Sequence, residues 1–114
     1  MNEILDSYQH IAGIFRLLAH PSRLQILDEL RRREACVCHL QTVLHRPQAY
    51  VSQQLRVLRD ADVVVDEKDG LNVFYRIVDP QVLTLLETML GPAQPARNIP
   101  ACPCPKCTEM ACCN

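Results

Sequence analysis

The 114-residue sequence has no tryptophan, only three glycines and no long run of apolar residues. Three glycines leave no glycine-rich loop of the kind that holds phosphates. The longest strongly apolar stretch, residues 82–90, is far shorter than the roughly 20 residues that cross a bilayer, and no basic-then-apolar leader begins the chain. We therefore expect a cytoplasmic protein with no membrane partner.

Aromatic residues are also scarce, at 4%, whereas apolar residues make up 48% of the sequence. An aliphatic core is therefore expected, in a chain long enough for one domain and too short for two. The sequence contains no Ser/His/Asp set and no paired carboxylates typical of a catalytic cleft. We expect a folded protein that is not an enzyme.

The sequence lacks a basic excess, since its formal net charge is -1. The charges are unevenly distributed: residues 1–60 carry eight basic and six acidic side chains, and residues 61–114 carry four and seven. Any surface that faces DNA is therefore local, and it is expected in the first half of the chain.

The composition changes at Gly91, beyond which lie five of the eight prolines and five of the seven cysteines. This change predicts a domain over residues 1–90 and a flexible tail rich in proline and cysteine over residues 91–114. An odd number of cysteines without an export signal favours metal binding or thiol chemistry over a disulfide framework.

Apolar residues at steps of three and four predict four helices in the first half of the chain. The second and the fourth helix follow Pro21 and Pro47, and a short third one spans Cys36–Leu44. The positions that define the first, second and fourth helices are Ile4, Tyr8, Ile11, Phe15 and Leu18, then Leu24, Leu27 and Leu30, then Val51, Leu55 and Leu58.

The period then changes to that of a strand. Val63–Val65 opens one strand, Asp69-Gly70 is a type I′ turn signal, and residues 71–77 alternate, which together predict a two-stranded hairpin. After Pro80 a last helix carries more apolar residues than one face needs, which favours pairing with a second copy of the chain. Its apolar residues are Val82, Leu83, Leu86, Met89 and Leu90.

This order of elements predicts a mainly α (α+β) winged helix-turn-helix, in which the second helix of the pair enters the DNA major groove. The recognition helix is then Gln48–Asp60. Its glutamines suit an adenine edge, and its arginines suit phosphates, although a polar outer face is also what any soluble helix shows. The candidate DNA-binding residues are Gln48, Tyr50, Ser52, Gln53, Arg56 and Arg59.

Several blocks of sequence resemble the ArsR/SmtB family of metal-responsive bacterial repressors. The resemblance runs over roughly residues 11–90 and is carried by residues 18–27 (LAHPSRLQIL), 35–40 (ACVCHL), 51–59 (VSQQLRVLR) and 74–76 (FYR). It implies a winged-helix homodimer that binds double-stranded operator DNA as a repressor until an inducer binds.

Cys36-Val37-Cys38 is a C-x-C pair at a predicted helix start. Two helical positions lie about 200° apart around the axis, so both sulfurs reach one ion only where a helix begins or frays. The alternative is that both are small core residues. The resemblance implies that this C-V-C is a thiolate site for soft metals.

Two sulfurs do not complete such a site. As(III) takes three thiolates, and Cd(II), Pb(II) or Zn(II) takes three or four ligands, so the tail is expected to supply the others. Gln41 stands where the arsenic-sensing relatives are expected to carry a further cysteine. The tail candidates are Cys102, Cys104 and Cys107, with the vicinal pair Cys112 and Cys113 as additional ones.

Two further features bear on metal binding. The family's other site uses Asp and His on the last helix, but residues 80–90 contain no histidine and one carboxylate, Glu87, so that site is expected to be absent. His39 is a borderline ligand beside Cys38. More often such a histidine lies at the surface or hydrogen bonds to a ligand.

The sequence therefore predicts a repressor that releases its operator when a soft ion, As(III), Sb(III), Cd(II), Pb(II) or Zn(II), binds cysteine thiolates. No organic cofactor is expected. Two alternatives stay open: a thiol redox regulator on the same fold, in which the cysteines are oxidised to disulfides, and a metal-buffering protein that binds no operator.

Overall fold

A computed structural model describes residues 2–95 of the chain, with side chains from Leu5 onward. It contains five helices and one two-stranded antiparallel sheet in this part of the chain. The elements are α1 (Asn2–Leu18), α2 (Pro21–Arg32), α3 (Val37–Leu44), α4 (Gln48–Asp60), β1 (Val64–Asp69), β2 (Asn72–Ile77) and α5 (Pro80–Leu90).

The prolines start helices as predicted. Pro21 and Pro80 lie in the first turns of α2 and α5, where a missing N–H costs no helical hydrogen bond, and Pro47 is the cap residue of α4. The Asp79 side chain also caps α5 by accepting from the amides of residues 81 and 82. These local signals separate the helices, and the predicted winged helix-turn-helix is confirmed.

One aliphatic core joins the elements. It packs α2 against α3, α4 and β2, and packs α4 against β1. Residues with no exposed surface are Ile26, Leu27, Leu40, Val51, Leu55, Leu58 and Val82. The recognition helix is therefore fixed along its whole inner face.

The apolar stripe predicted on the first helix is only partly buried. Of the predicted positions, Leu18 lies in the core, but Tyr8, Ile11 and Phe15 are 66%, 44% and 56% exposed. The predicted Ile4 side chain lies outside the described residues, and Ile14, which was not predicted, is buried beside Leu18. On α5, Val82 and Leu86 are buried, whereas Met89 is 79% exposed. One copy of the chain thus leaves apolar surface on both of these helices.

The hairpin is confirmed, but its predicted turn is wrong. Asp69 pairs with Asn72, so the two-residue loop is Gly70-Leu71 and not Asp69-Gly70. Of these loop residues only Gly70 has a positive φ, 68°, which is the type II′ pattern with glycine first. A type I′ turn would require a positive φ at Leu71 as well.

None of the described helices is long and apolar enough to cross a membrane.

Candidate nucleic-acid interface and thiol site

The helix-turn-helix is formed by α3, a three-residue turn and α4. His45 ends α3 in the left-handed conformation, with φ 55° and ψ 45°, and its amide donates to the Gln41 carbonyl at 2.8 Å. Arg46 and Pro47 then lead into α4. The tight turn holds the two helices in contact, which is the arrangement that presents a second helix to a DNA groove.

The outer face of α4 carries the predicted polar set. Gln48, Gln53, Arg56 and Arg59 are exposed, and Ser52 is half-buried. The Gln48 and Gln53 amides and the Arg56 guanidinium make no side-chain hydrogen bond or ion pair with another described residue. This face can therefore donate and accept hydrogen bonds at a base edge.

Tyr50 belongs to the same set but is half-buried. Its hydroxyl donates to Ser22 Oγ at 2.7 Å, in the first turn of α2, and its ring packs against the core. The Arg46 guanidinium carbon lies 4.2 Å from the centre of the Tyr50 ring. The phenol thus has a partner inside the domain before any ligand is present.

A second hydrogen bond from α2 to α4 joins two residues outside the predicted DNA-binding set. Arg23 Nε donates to Gln54 Oε1 at 2.9 Å, and Arg23 Nη1 donates to the Leu17 carbonyl at 3.2 Å. Gln54 is 8% exposed. Its helical spacing from Val51 and Leu58 was a signal that it faces inward. Arg23 therefore joins α1, α2 and α4.

Other arginines are engaged within the domain. Arg31 pairs with Asp28 at 2.6 Å and donates to the Gly91 carbonyl at 2.8 Å. On α4, Arg59 lies 3.4 Å from Asp66 of β1 and so connects the recognition helix to the hairpin. Only part of the basic side chains in residues 1–60 is therefore available on the helix-turn-helix to contact a partner outside the domain.

The cysteine pair lies where it was predicted, at the beginning of a helix. Cys36 is the cap residue of α3, with extended backbone at φ -93° and ψ 171°, and its Sγ accepts from the His39 amide at 3.4 Å. Cys36 is 2% exposed and Cys38 is half-buried. Neither sulfur forms a disulfide with another described residue.

The pair is connected to the hairpin and to α4. Ala35 makes an antiparallel bridge with Tyr75 of β2, with N–H···O distances of 3.2 and 2.8 Å. An open cavity of about 370 Å³ is lined by Cys36, Cys38, Gln48 and Tyr75, among others. The start of the recognition helix and the thiol pair thus share one cavity.

Tyr75 is half-buried at this junction. Burial raises the pKa of its phenol above the ordinary value, the Asp66 carboxylate adds to the rise, and Arg59 opposes it. The neutral phenol is therefore favoured over a wider pH range than in a solvated tyrosine.

His39 does not lie at the surface, so the first of its two alternative interpretations is wrong, and the second stays a prediction. It is 1% exposed, and its Nε2 lies 2.9 Å from Glu29 Oε2 on α2. Glu29 is 4% exposed and also lies 3.8 Å from Arg32 Nε. The buried ring of His39 is therefore hydrogen bonded to Glu29. The backbone amide of the same residue donates to the Cys36 sulfur.

The described residues do not complete a metal site. Among side chains 5–95, no three histidine, cysteine, aspartate or glutamate groups are clustered closely enough to hold a metal ion. The two sulfurs are soft donors at a helix start and suit a soft ion, but their number is insufficient alone. The predicted tail ligands lie outside the described residues: Cys102, Cys104, Cys107, Cys112 and Cys113.

Comparison with known proteins identifies the family. The family model for bacterial regulatory proteins of the ArsR family matches residues 20–65. The chain is 41% identical over 81 residues to the transcriptional repressor SmtB homolog of Synechocystis, covering 71% of this chain and 61% of the relative. It is 45% identical over 78 residues to the repressor SmtB of Mycobacterium tuberculosis, covering 68% and 55%.

The chain therefore matches less than two thirds of the length of either of these relatives. A solved structure, the AntR antimony-specific transcriptional repressor, is similar with a TM-score of 0.68 and 36% identity, covering 73% of this chain and 76% of that one. Fold, family model and relatives agree. The chain belongs to the ArsR/SmtB family.

Proposed function

We propose that this protein is a transcriptional repressor that binds operator DNA as a homodimer through α4. The observation that carries the proposal is the uncovered polar face of α4, on which Gln48, Gln53 and Arg56 are exposed while the inner face is fully buried. Glutamine amides suit an adenine edge and arginines suit guanines or phosphates. Ser52 and Arg59 extend this surface, and the repressor names of the relatives support the assignment.

The dimer is proposed to form through α1 and α5. Tyr8, Phe15 and Met89 leave large apolar surfaces exposed on these helices. Two open apolar cavities of about 410 and 520 Å³ lie along the same helices. A second copy of the chain would cover this surface, because a two-fold axis brings the same patch of both copies together. Such a dimer reads two half-sites about one helical turn apart.

The inducer is proposed to be a soft metal or metalloid ion held by Cys36, Cys38 and thiolates of the tail. Thiolate donors select As(III), Sb(III), Cd(II), Pb(II) or Zn(II) over Mg(II) and Ca(II). The similar structure AntR is described as an antimony-specific repressor, which supports a soft metal or metalloid as the class of inducer. Cys102, Cys104 and Cys107 are the proposed additional ligands.

Coupling between the thiols and DNA is proposed to run through the contacts of Cys36. Withdrawing its sulfur removes the hydrogen bond from the His39 amide that caps α3. The neighbouring residue, Ala35, is bridged to Tyr75 on the hairpin, and Gln48 shares the cavity with both cysteines. A displaced α3 start therefore perturbs the beginning of α4 and the hairpin together, and linkage requires that DNA weakens metal binding by the same factor.

The proposal is tested in two steps with reduced, full-length protein. Selection from a random duplex library should enrich a near-palindromic site, and fluorescence anisotropy then gives its affinity. As(III), Sb(III), Cd(II), Pb(II) and Zn(II) are added separately in the presence of reductant. We expect at least one ion to release the DNA. Release only after addition of an oxidant would instead support the redox regulator, and enrichment of no site would support metal buffering.

A further inference from the structure

Arg46, in the turn before α4, is exposed and yet held in place. Its guanidinium carbon lies 4.2 Å from the centre of the Tyr50 ring, a distance at which a planar guanidinium stacks on an aromatic face and is attracted to it. No carboxylate among the described side chains pairs with it. The charge of Arg46 is therefore available to a partner outside the domain.

The ring beneath Arg46 is itself fixed. The Tyr50 hydroxyl donates to Ser22 Oγ at 2.7 Å, and Ser22 is 8% exposed in the first turn of α2. A tyrosine side chain has two soft torsions, and a hydrogen bond at its far end restrains both. A line of contacts thus runs from the core-packed α2 through Tyr50 to the exposed cation.

Other arginines near the helix-turn-helix differ from Arg46. Arg23 donates to Gln54 inside the domain, and Arg59 lies 3.4 Å from the carboxylate of Asp66. Arg56 is exposed without an ion pair in the described part of the chain, but no aromatic ring holds its guanidinium. Arg46 alone among these four combines an available charge with a fixed position.

We propose that Arg46 contacts a DNA phosphate at the start of the recognition helix, and that Tyr50 and Ser22 are positioning residues for its guanidinium. The inference rests on the proposed function. Arginine donates two parallel hydrogen bonds to a phosphate, and phosphate contacts fix the register of a protein on the duplex. A guanidinium that is already ordered loses less conformational entropy when it makes such a contact.

The test is the salt dependence of binding by the full-length, reduced chain to its selected operator and to a scrambled duplex. Arg46→Ala should weaken binding to both duplexes by about tenfold at low salt. The slope of log Kobs against log salt should become shallower by about 0.9 for each protomer's lost contact. Arg16→Ala is the matched control, because it removes an exposed arginine outside the residues proposed to contact DNA. Since α1 is also proposed to form the dimer, sedimentation first verifies that this variant has the wild-type oligomeric state, and its slope should then equal that of the wild type.

The positioning role is tested by a double-mutant cycle. Tyr50→Leu removes the ring but keeps an apolar side chain, so Arg46→Ala should cost less in that background than in the wild type. Tyr50→Phe keeps the ring and removes only the hydrogen bond to Ser22, and its effect should be smaller. Circular dichroism verifies that each variant keeps the wild-type helix content.

The outcomes separate this inference from the function on which it rests. If the wild type binds its operator and Arg46→Ala keeps the wild-type affinity and slope, the phosphate contact is refuted. Additive effects of Tyr50→Leu and Arg46→Ala refute the positioning role. A wild-type chain that binds neither duplex overturns the proposed function itself.

Discussion

The recognition helix and the thiol pair differ in how much of each lies within the folded domain. α4 buries its inner face completely and exposes the polar residues proposed to read DNA. The thiol pair has one sulfur that is almost fully buried and one that is half-buried, and the described side chains add no third ligand group. The described domain thus contains the whole surface proposed to read DNA, whereas the proposed sensing site needs further ligands from the tail.

The largest expected effect concerns the buried Glu29 carboxylate, which joins α2 to His39 of α3 behind the thiol pair. Glu29→Ala leaves His39 and Arg32 without this carboxylate, so we expect the free energy of unfolding to fall by about 3–5 kcal/mol. Urea denaturation measures it. The control is Glu67→Ala, in an exposed pair with Arg76, which should change stability by at most about 1 kcal/mol. Equal losses of unfolding free energy in the two variants would show that the buried contacts of Glu29 stabilise the fold no more than an exposed ion pair does.

On the DNA surface, base contacts and phosphate contacts should respond differently. Gln53→Ala should weaken operator binding by about 1–3 kcal/mol and leave binding to a scrambled duplex unchanged. Arg56→Ala should weaken binding to both duplexes and make the salt slope shallower by about one for each contact. Anisotropy titrations at several salt concentrations distinguish the two. Full operator affinity of the Gln53 variant would contradict the assignment of α4.

Substitution of the buried thiol should separate sensing from DNA binding. Serine is a preferred helix cap, so Cys36→Ser can still accept from the His39 amide and should keep operator affinity in the absence of metal. Metal-induced release should be lost, which removes a coupling of about 1–3 kcal/mol. Cys38→Ser should behave in the same way. Release of the Cys36 variant at the wild-type metal concentration would mean that this sulfur is not a ligand.

The smallest effect is confined to alkaline pH and concerns Tyr75, which lies on β2 of the hairpin and lines the same cavity as the thiol pair. Because its pKa is raised in the folded protein, chiefly by burial, the folded state keeps the phenolic proton where the unfolded chain releases it. This contribution to stability is complete below pH 10 and declines as the pH rises further. Tyr75→Phe should therefore make the fall of the unfolding temperature between about pH 9 and about pH 11 less steep. An unchanged decline would show that other groups cause it.

Local patterns were sufficient to predict the helices. The recognition helix was predicted over Gln48–Asp60 and has those bounds, because apolar spacing defines its inner face and a proline precedes it. The hairpin turn was misplaced by one residue, since Asp69-Gly70 and Gly70-Leu71 both contain a glycine that suits a positive φ. Strand pairing, such as Val64 with Ile77, decides between them, and that contact is distant in sequence.

The bonds that position the site were not predictable in the same way. Ser22 and Tyr50 are 28 residues apart, and Arg23 and Gln54 are 31 apart. Sequence periodicity indicates which face of a helix is buried, but it does not pair polar groups between helices. The inward position of Gln54 could have been predicted from its helical spacing. Its partner depends on how α2 crosses α4.

The comparison between the two regions is tested most directly by operator binding of the full chain and of a chain truncated after Arg97, each with and without metal under reducing conditions. Without metal, both should bind the operator with the same affinity, because the α4 surface lies within the domain. With metal, only the full chain should be released. Release of the truncated chain at the same metal concentration would contradict the account, since the tail cysteines would then not be needed for sensing.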